Sequence, residues 1–107
     1  MFSVIYKFEI KSDRKDSFEK SWKDLTLLIY EYAGSLGSRL HKKDECNYIA
    51  YAQWPNKETW ENSSNKLPER SYEISALMRE SCNSIETLYE LELIEDLLEN
   101  KPGHNTN

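Results

Sequence analysis

The residues best suited to acid–base, nucleophilic or metal chemistry are His41, His104, Cys46 and Cys82, and their spacing supports none of it. No CxxC, HxxxH or HExxH pattern joins them, so a zinc centre or a catalytic metal lacks its ligand set. Histidine is the residue type best suited to general-base work, which makes His41 a candidate. It falls at an expected strand end beside the charged run Lys42-Lys43-Asp44-Glu45, where a solvated surface position is the simpler reading. The two cysteines cannot build a disulfide framework, and they read as small reduced fillers. Glycine-rich phosphate loops, dinucleotide fingerprints and the GxSxG nucleophile turn are all missing, so the nucleotide and serine-hydrolase classes lose their motifs. The unusual feature is aromatic: three Trp, seven Tyr and three Phe. In a small domain such side chains either fill the core or line an apolar pocket.

Elements must hold these aromatics in place. Phe2 to Ile10 alternates as a strand, with Phe2, Val4, Tyr6, Phe8 and Ile10 on one face and Ser3, Ile5, Lys7 and Glu9 on the other. From Arg14 to Ala33 the stripe Phe18, Trp22, Leu25, Ile29 and Tyr32 recurs at helical spacing. Ser12 and Asp13 are its candidate N-caps, and Gly34 stands where a terminating glycine belongs. Leu36–His41 and Asn47–Trp54 read as a hairpin, and Pro55 stops the second strand. Asn56 is placed to cap a short helix, Lys57 to Asn62, that carries Trp60. Ser63 to Asn65 is expected as loop. A further helix starts near Pro68 with the stripe Ile74, Leu77, Met78, Ser81 and Ile85, and Glu86 to Glu95 is the last strand.

The order is β-α-β-β-α-β, the ferredoxin-like arrangement: an α+β fold with a four-stranded antiparallel sheet and helices on one face. Residues 1–95 form one domain and 96–107 are expected as a disordered tail. Helices cover only one face of such a sheet, yet the first, third and fourth strands carry apolar or aromatic residues on both. A homodimer joined sheet to sheet is therefore expected.

Composition narrows the partners. The chain has 107 residues, 38% of them hydrophobic and 31% charged, with a net charge of −5. That sign opposes a nucleic-acid footprint and binding to anionic membranes. No apolar run approaches the ~20 residues that span a bilayer. With no basic and apolar leader pattern, a cytoplasmic protein is expected.

Over residues 1–95 the sequence resembles the antibiotic biosynthesis monooxygenase family, whose members form dimeric α+β barrels. The likeness is carried by the opening Phe2-Ser3-Val4-Ile5-Tyr6, by Phe18 and Trp22, and by Gly34-Ser35-Leu36-Gly37-Ser38-Arg39-Leu40. It continues through Tyr48-Ile49-Ala50-Tyr51-Ala52-Gln53-Trp54-Pro55 and Trp60. The resemblance implies oxygenation of a small aromatic or quinone-related compound by O2 without metal, flavin or haem. In that branch the deprotonated substrate itself reduces oxygen. Its members use an Asn and a Trp one helical turn apart, and a Tyr and an Arg from the following helix. Asn56 and Trp60 have that spacing here, and Tyr72 and Arg79 are the nearest residues of the second pair. By this resemblance Asn56 would bond a carbonyl, Trp60 would stack on a flat ring and Arg79 would hold an oxyanion.

A haem-degrading branch of the same family needs an Asn on the first strand, a Trp in the short helix and an axial His on the next one. Trp60 fits. The first strand offers Tyr6 and Lys7 instead, and Arg70 stands about where the His would be wanted. Trp60, Asn56 and Arg79 also have plain structural readings, Trp60 as packing under the sheet edge, Asn56 as a helix cap and Arg79 as a solvated charge or partner of a nearby Glu, and Tyr72 is a candidate for lining a pocket. A non-catalytic module that binds a small ligand on the same fold is the alternative.

Overall fold

The computed structural model describes residues 1–98. The expected tail at 96–107 therefore lies mostly outside the described residues. The element order is β1 (Phe2–Ile10), α1 (Lys15–Tyr32), β2 (Gly37–Lys42), β3 (Asn47–Trp54), α2 (Lys57–Glu61), a 3-10 turn at Ser63–Lys66, α3 (Ser71–Glu80) and β4 (Cys82–Glu92). The four strands form one antiparallel sheet in the order β2-β3-β1-β4. This is the ferredoxin-like βαββαβ fold read from the sequence. Among the described residues no helix is long and apolar enough to cross a membrane.

Register sets what the helices see. β1 and β3 pair Phe2 with Trp54, Val4 with Ala52, Tyr6 with Ala50 and Phe8 with Tyr48. Directly paired residues point to the same side, so a large side chain on β1 twice faces only an alanine on β3. Two buried clusters result. One gathers Phe8, Ile10, Phe18, Tyr48, Ala50 and Cys82; the other gathers Phe2, Val4, Ala33, Ala52 and Trp54. Tyr6 packs against both. Phe18 anchors α1 to the sheet, 4.9 Å from the Phe8 ring and edge-on to Tyr48 at 5.7 Å.

α1 buries Phe18, Ser21, Leu25 and Leu28. Leu28 joins the expected stripe, while Tyr32 at its end is exposed, with the Arg70 guanidinium 5.6 Å from its ring centroid. The N-cap is Arg14, with no side-chain cap bond, so neither Ser12 nor Asp13 fills that role. Gly34 does follow the helix, with φ +81, a left-handed conformation that favours glycine. α1 lies close to the end of α3, where the Ser81 hydroxyl bonds Ser17 Oγ at 3.1 Å.

Several boundaries differ from the sequence reading: β2 is shifted by one residue, β4 ends at Glu92 instead of Glu95, and the starts of α3 and β4 move as well. α3 begins at Ser71, because the N–H groups of Ser71 and Tyr72 bond back to Pro68 and Glu69 in a tighter turn first. β4 begins at Cys82, earlier than the expected Glu86. Ile85 fits a helical stripe by spacing, but pairing of Cys82 with Ile10 and of Ile85 with Phe8 draws this stretch into the sheet. β4 also carries a register shift opposite Ile5 and Tyr6, where Tyr6 pairs with Thr87 and Ile5 with Tyr89. The extra residue, Leu88, turns Tyr89 and Leu91 onto the uncovered face with Ile5 and Ser3.

Candidate functional site

A cavity of about 220 Å3 lies between the helices and the sheet. Its floor is made of small residues, Ala50 and Ala52 of β3 with Ser38 of β2. Ser38 pairs with Ala52 across the hairpin, so the three form one shallow patch. Trp22, Leu25, Thr26 and Ile29 of α1 form the roof, and Tyr6, Phe8, Trp54, Met78 and Ile85 close the sides. The hollow forms where Ala50 and Ala52 alternate with the larger Tyr48 and Trp54 on the same face of β3 and meet Ser38, while Tyr6, Phe8 and Trp54 hold the roof up.

Among the described residues the lining contains no charged side chain. Its residues with polar groups are Tyr6, Thr26, Ser38 and the two tryptophans Trp22 and Trp54. Tyr6 Oη accepts a 2.8 Å hydrogen bond from Trp60 Nε1. Burial raises the Tyr6 pKa above its ordinary value; the Trp60 bond partly opposes this, and the charge of Glu90 adds to it. The phenol therefore stays protonated through the neutral range. Trp54 is 3% exposed, and its Nε1 has no acceptor among the described residues. Native structures satisfy most such buried donors, so this one stands out.

The four residues singled out by the resemblance are dispersed. Asn56 caps α2: its Oδ1 accepts from Thr59 N and Thr59 Oγ1, each at 2.8 Å. Trp60 lies outside the cavity lining, against Phe2 at 5.7 Å, and reaches the cavity only through Tyr6. Tyr72 is 71% exposed on α3. Arg79 is exposed and donates to Ser75 Oγ at 2.8 Å. His41 is exposed on β2, paired with Ile49. Cys82 is buried, and desolvation pushes its thiol up to about 11, which leaves it a poor nucleophile. Tyr6 is the cavity residue that motif reasoning passed over. The available signal was a tyrosine on the helix-facing stripe of β1 opposite the small residues of β3.

No group of three or more His, Cys, Asp and Glu among the described residues is arranged to hold a metal ion. What the arrangement offers is a mostly apolar, aromatic-walled chamber with neutral polar groups in its lining.

A four-stranded antiparallel sheet under helices, with an apolar chamber between the layers, defines a ferredoxin-like α+β domain. The chain belongs to the antibiotic biosynthesis monooxygenase family, matching that family over residues 1–67. Among solved structures it is similar to SnoaB, a cofactor-independent oxygenase from Streptomyces nogalater. The TM-score is 0.72 at 11% identity, covering 90% of this chain and 95% of that one. It is also similar to Rv0793 from Mycobacterium tuberculosis, with TM-score 0.71 and 10% identity over 91% of this chain and 98% of that one. A third is PA3566 from Pseudomonas aeruginosa, with TM-score 0.69 and 17% identity over 88% and 94% of the two chains. At these identities the likeness is one of fold. Comparison with curated protein sequences gives no match.

Proposed function

We propose that the chain is a cytoplasmic, cofactor-independent monooxygenase that oxidises a small aromatic or quinone-related compound with O2 in the chamber under α1. The observation that carries the reading is an uncharged, aromatic-walled cavity in a member of this family. In the proposed reaction an activated methylene becomes a carbonyl. One oxygen atom enters the product, the other leaves as water, and the substrate supplies all the electrons. An apolar chamber lowers the local water around the reactive anion, and neutral donors near its oxygen stabilise it. The lining carries no carboxylate or imidazole among the described residues, so the proposed substrate is acidic enough to lose its proton to solvent hydroxide.

Within this proposal Trp60 and Asn56 act as positioning residues, Trp60 by holding Tyr6 and Asn56 by starting the helix that carries Trp60. Tyr72 and Arg79 stay as family-derived candidates whose side chains lie outside the chamber lining. Oxygen uptake with a panel of anthrone-like substrates tests the activity. Wild-type protein is expected to consume oxygen, and Trp60→Ala to do so at least about tenfold more slowly, the size expected from loss of one hydrogen bond serving a charged transition state. Equal rates would remove Trp60 from the mechanism, and no uptake with any member would remove the monooxygenase reading.

One observation favours a second reading, a binding module that holds a ligand without turning it over. The cavity is smaller than the ~300 Å3 at which drug-sized pockets begin, and it lacks a general base. Tight binding without oxygen consumption supports this reading. Haem degradation stands third, since α3 contains no histidine to serve as an axial ligand.

The proposed assembly is a homodimer through the uncovered sheet face. Tyr89 is 61% and Leu91 45% exposed there, beside Ile5, Ile49 and Tyr51. Apolar side chains on an otherwise uncovered sheet face are the usual mark of an interface.

A further inference from the structure

An indole N–H can only donate a hydrogen bond, whereas a phenol both accepts and donates. In the Trp60–Tyr6 pair the Tyr6 oxygen must therefore be the acceptor, which leaves its own proton uncommitted. That proton has no acceptor among the described residues, and Tyr6 lines the chamber. The Trp60 bond also fixes where the phenol oxygen sits, while the Tyr6 side chain packs against both buried clusters.

Trp54 lines the chamber as well, but its indole N–H is itself fully buried and unpartnered among the described residues. The chamber thus has the Tyr6 hydroxyl as a candidate donor and no cation among the described residues to balance an anion. A bound carboxylate would lose its hydration without compensation, whereas a neutral carbonyl would gain a partner it needs.

We propose that Tyr6 selects the ligand of this chamber: its phenol, positioned by Trp60, donates to the oxygen of a neutral, flat, mostly apolar carbonyl compound. The inference rests on the chamber being the ligand site. It assigns the decisive polar contact to a residue outside the set Asn56, Trp60, Tyr72 and Arg79. Tyr6 is the contacting residue and Trp60 its positioning residue.

Three probes of one ring size test it by isothermal titration calorimetry: tetralin, α-tetralone, and tetralin bearing a carboxylate at the same carbon. Wild-type protein is expected to bind the ketone about five- to tenfold more tightly than the hydrocarbon, the span one neutral hydrogen bond supplies. The carboxylate is expected to bind more weakly than either. Tyr6→Phe removes only the hydroxyl, so it should erase the preference for the ketone and leave tetralin binding unchanged. Trp60→Phe should reduce the preference severalfold with tetralin again unchanged, a ratio that a merely structural role would not move. The infrared carbonyl stretch of bound α-tetralone should lie lower in wild type than in Tyr6→Phe.

Tyr6→Phe strands the Trp60 donor. If it fails to fold, Tyr6→Phe/Trp60→Phe removes both partners and makes the same measurement. Equal affinity of wild type for ketone and hydrocarbon, or a preference that survives loss of the hydroxyl, overturns the role of Tyr6 and leaves the chamber as the site. A carboxylate that binds as tightly as the ketone overturns the neutral-ligand assignment. No saturable binding of any probe overturns this inference and the chamber reading together.

Discussion

Two tyrosines of opposite fate show how one residue type divides between ligand chemistry and packing. Tyr6 lines the chamber, and its phenol is held by Trp60. Tyr48 buries its ring under α1 and sends its hydroxyl to the surface, where it donates to Glu19 Oε2 at 2.8 Å. That bond to a carboxylate, with some desolvation, pushes the Tyr48 pKa from 10.0 up to about 12. A folded-state pKa above the unfolded one favours the folded state below the unfolded value, and the advantage disappears as the pH rises through the folded value. Wild-type protein is therefore expected to lose stability relative to Tyr48→Phe as pH rises from about 10 to about 12. Denaturant midpoints measured across that window check the expectation, and parallel curves for the two proteins would refute it. The exposed hydroxyl makes the expected difference small.

At the scale of elements, a short chain of causes joins the cap of α2 to the chamber. Pro55 ends β3, Asn56 caps the next turn, α2 carries Trp60, and Trp60 holds Tyr6. Gly34 serves the same region from the other side. A Cβ there would stand 3.1 Å from Thr59 Cγ2, so the positive-φ glycine lets the end of α1 lie against α2. A helix of five residues has little stability of its own. Loss of its cap should consequently be felt: Asn56→Ala is expected to cost about 1 kcal/mol. In a domain of this size that lowers Tm by roughly 4–8 °C. Asn56→Asp, which keeps an acceptor for Thr59, should lose much less. Thermal melts compare the two. An Asn56→Ala protein with unchanged Tm and abolished oxygen uptake would make Asn56 a chemical residue instead of a cap.

On the scale of the whole molecule, the sheet has one face for the helices and one for something else. The extra residue in β4 decides which apolar side chains go where. By turning Tyr89 and Leu91 outward it also turns Glu90 toward α2, where Lys57 Nζ meets its Oε1 at 3.4 Å. Ser3, Tyr51 and Gln53 form a polar patch on the outward face, with Tyr51 Oη accepting from Ser3 Oγ at 3.2 Å and from Gln53 Nε2 at 3.0 Å. Light scattering at micromolar concentration is expected to give twice the 12.7 kDa chain mass. Leu91→Lys, which places a charge in the proposed interface, should shift the protein toward monomer with its fold retained. A wild-type monomer would reject the dimer.

The order of elements, the helix-facing stripe of β1, the alternation of β3 and the capping of α2 were all legible in the residues before folding. These follow from periodicities and turn chemistry that act within about ten residues. The sequence also carried enough likeness, in Tyr48 through Pro55 and Trp60, to point to the family. Tertiary structure alone decided where β4 begins, because Cys82 and Ile85 join the sheet through pairing with β1. It alone decided that Leu28 is buried and Tyr32 is not. It also formed the chamber, since a hollow is what remains when Ala50, Ala52 and Ser38, from two strands, meet a roof from α1. Motif spacing marked Trp60 and overlooked Tyr6 for the same reason. A hydrogen bond between residues 54 positions apart has no local signature, and only folding brings the indole to the phenol.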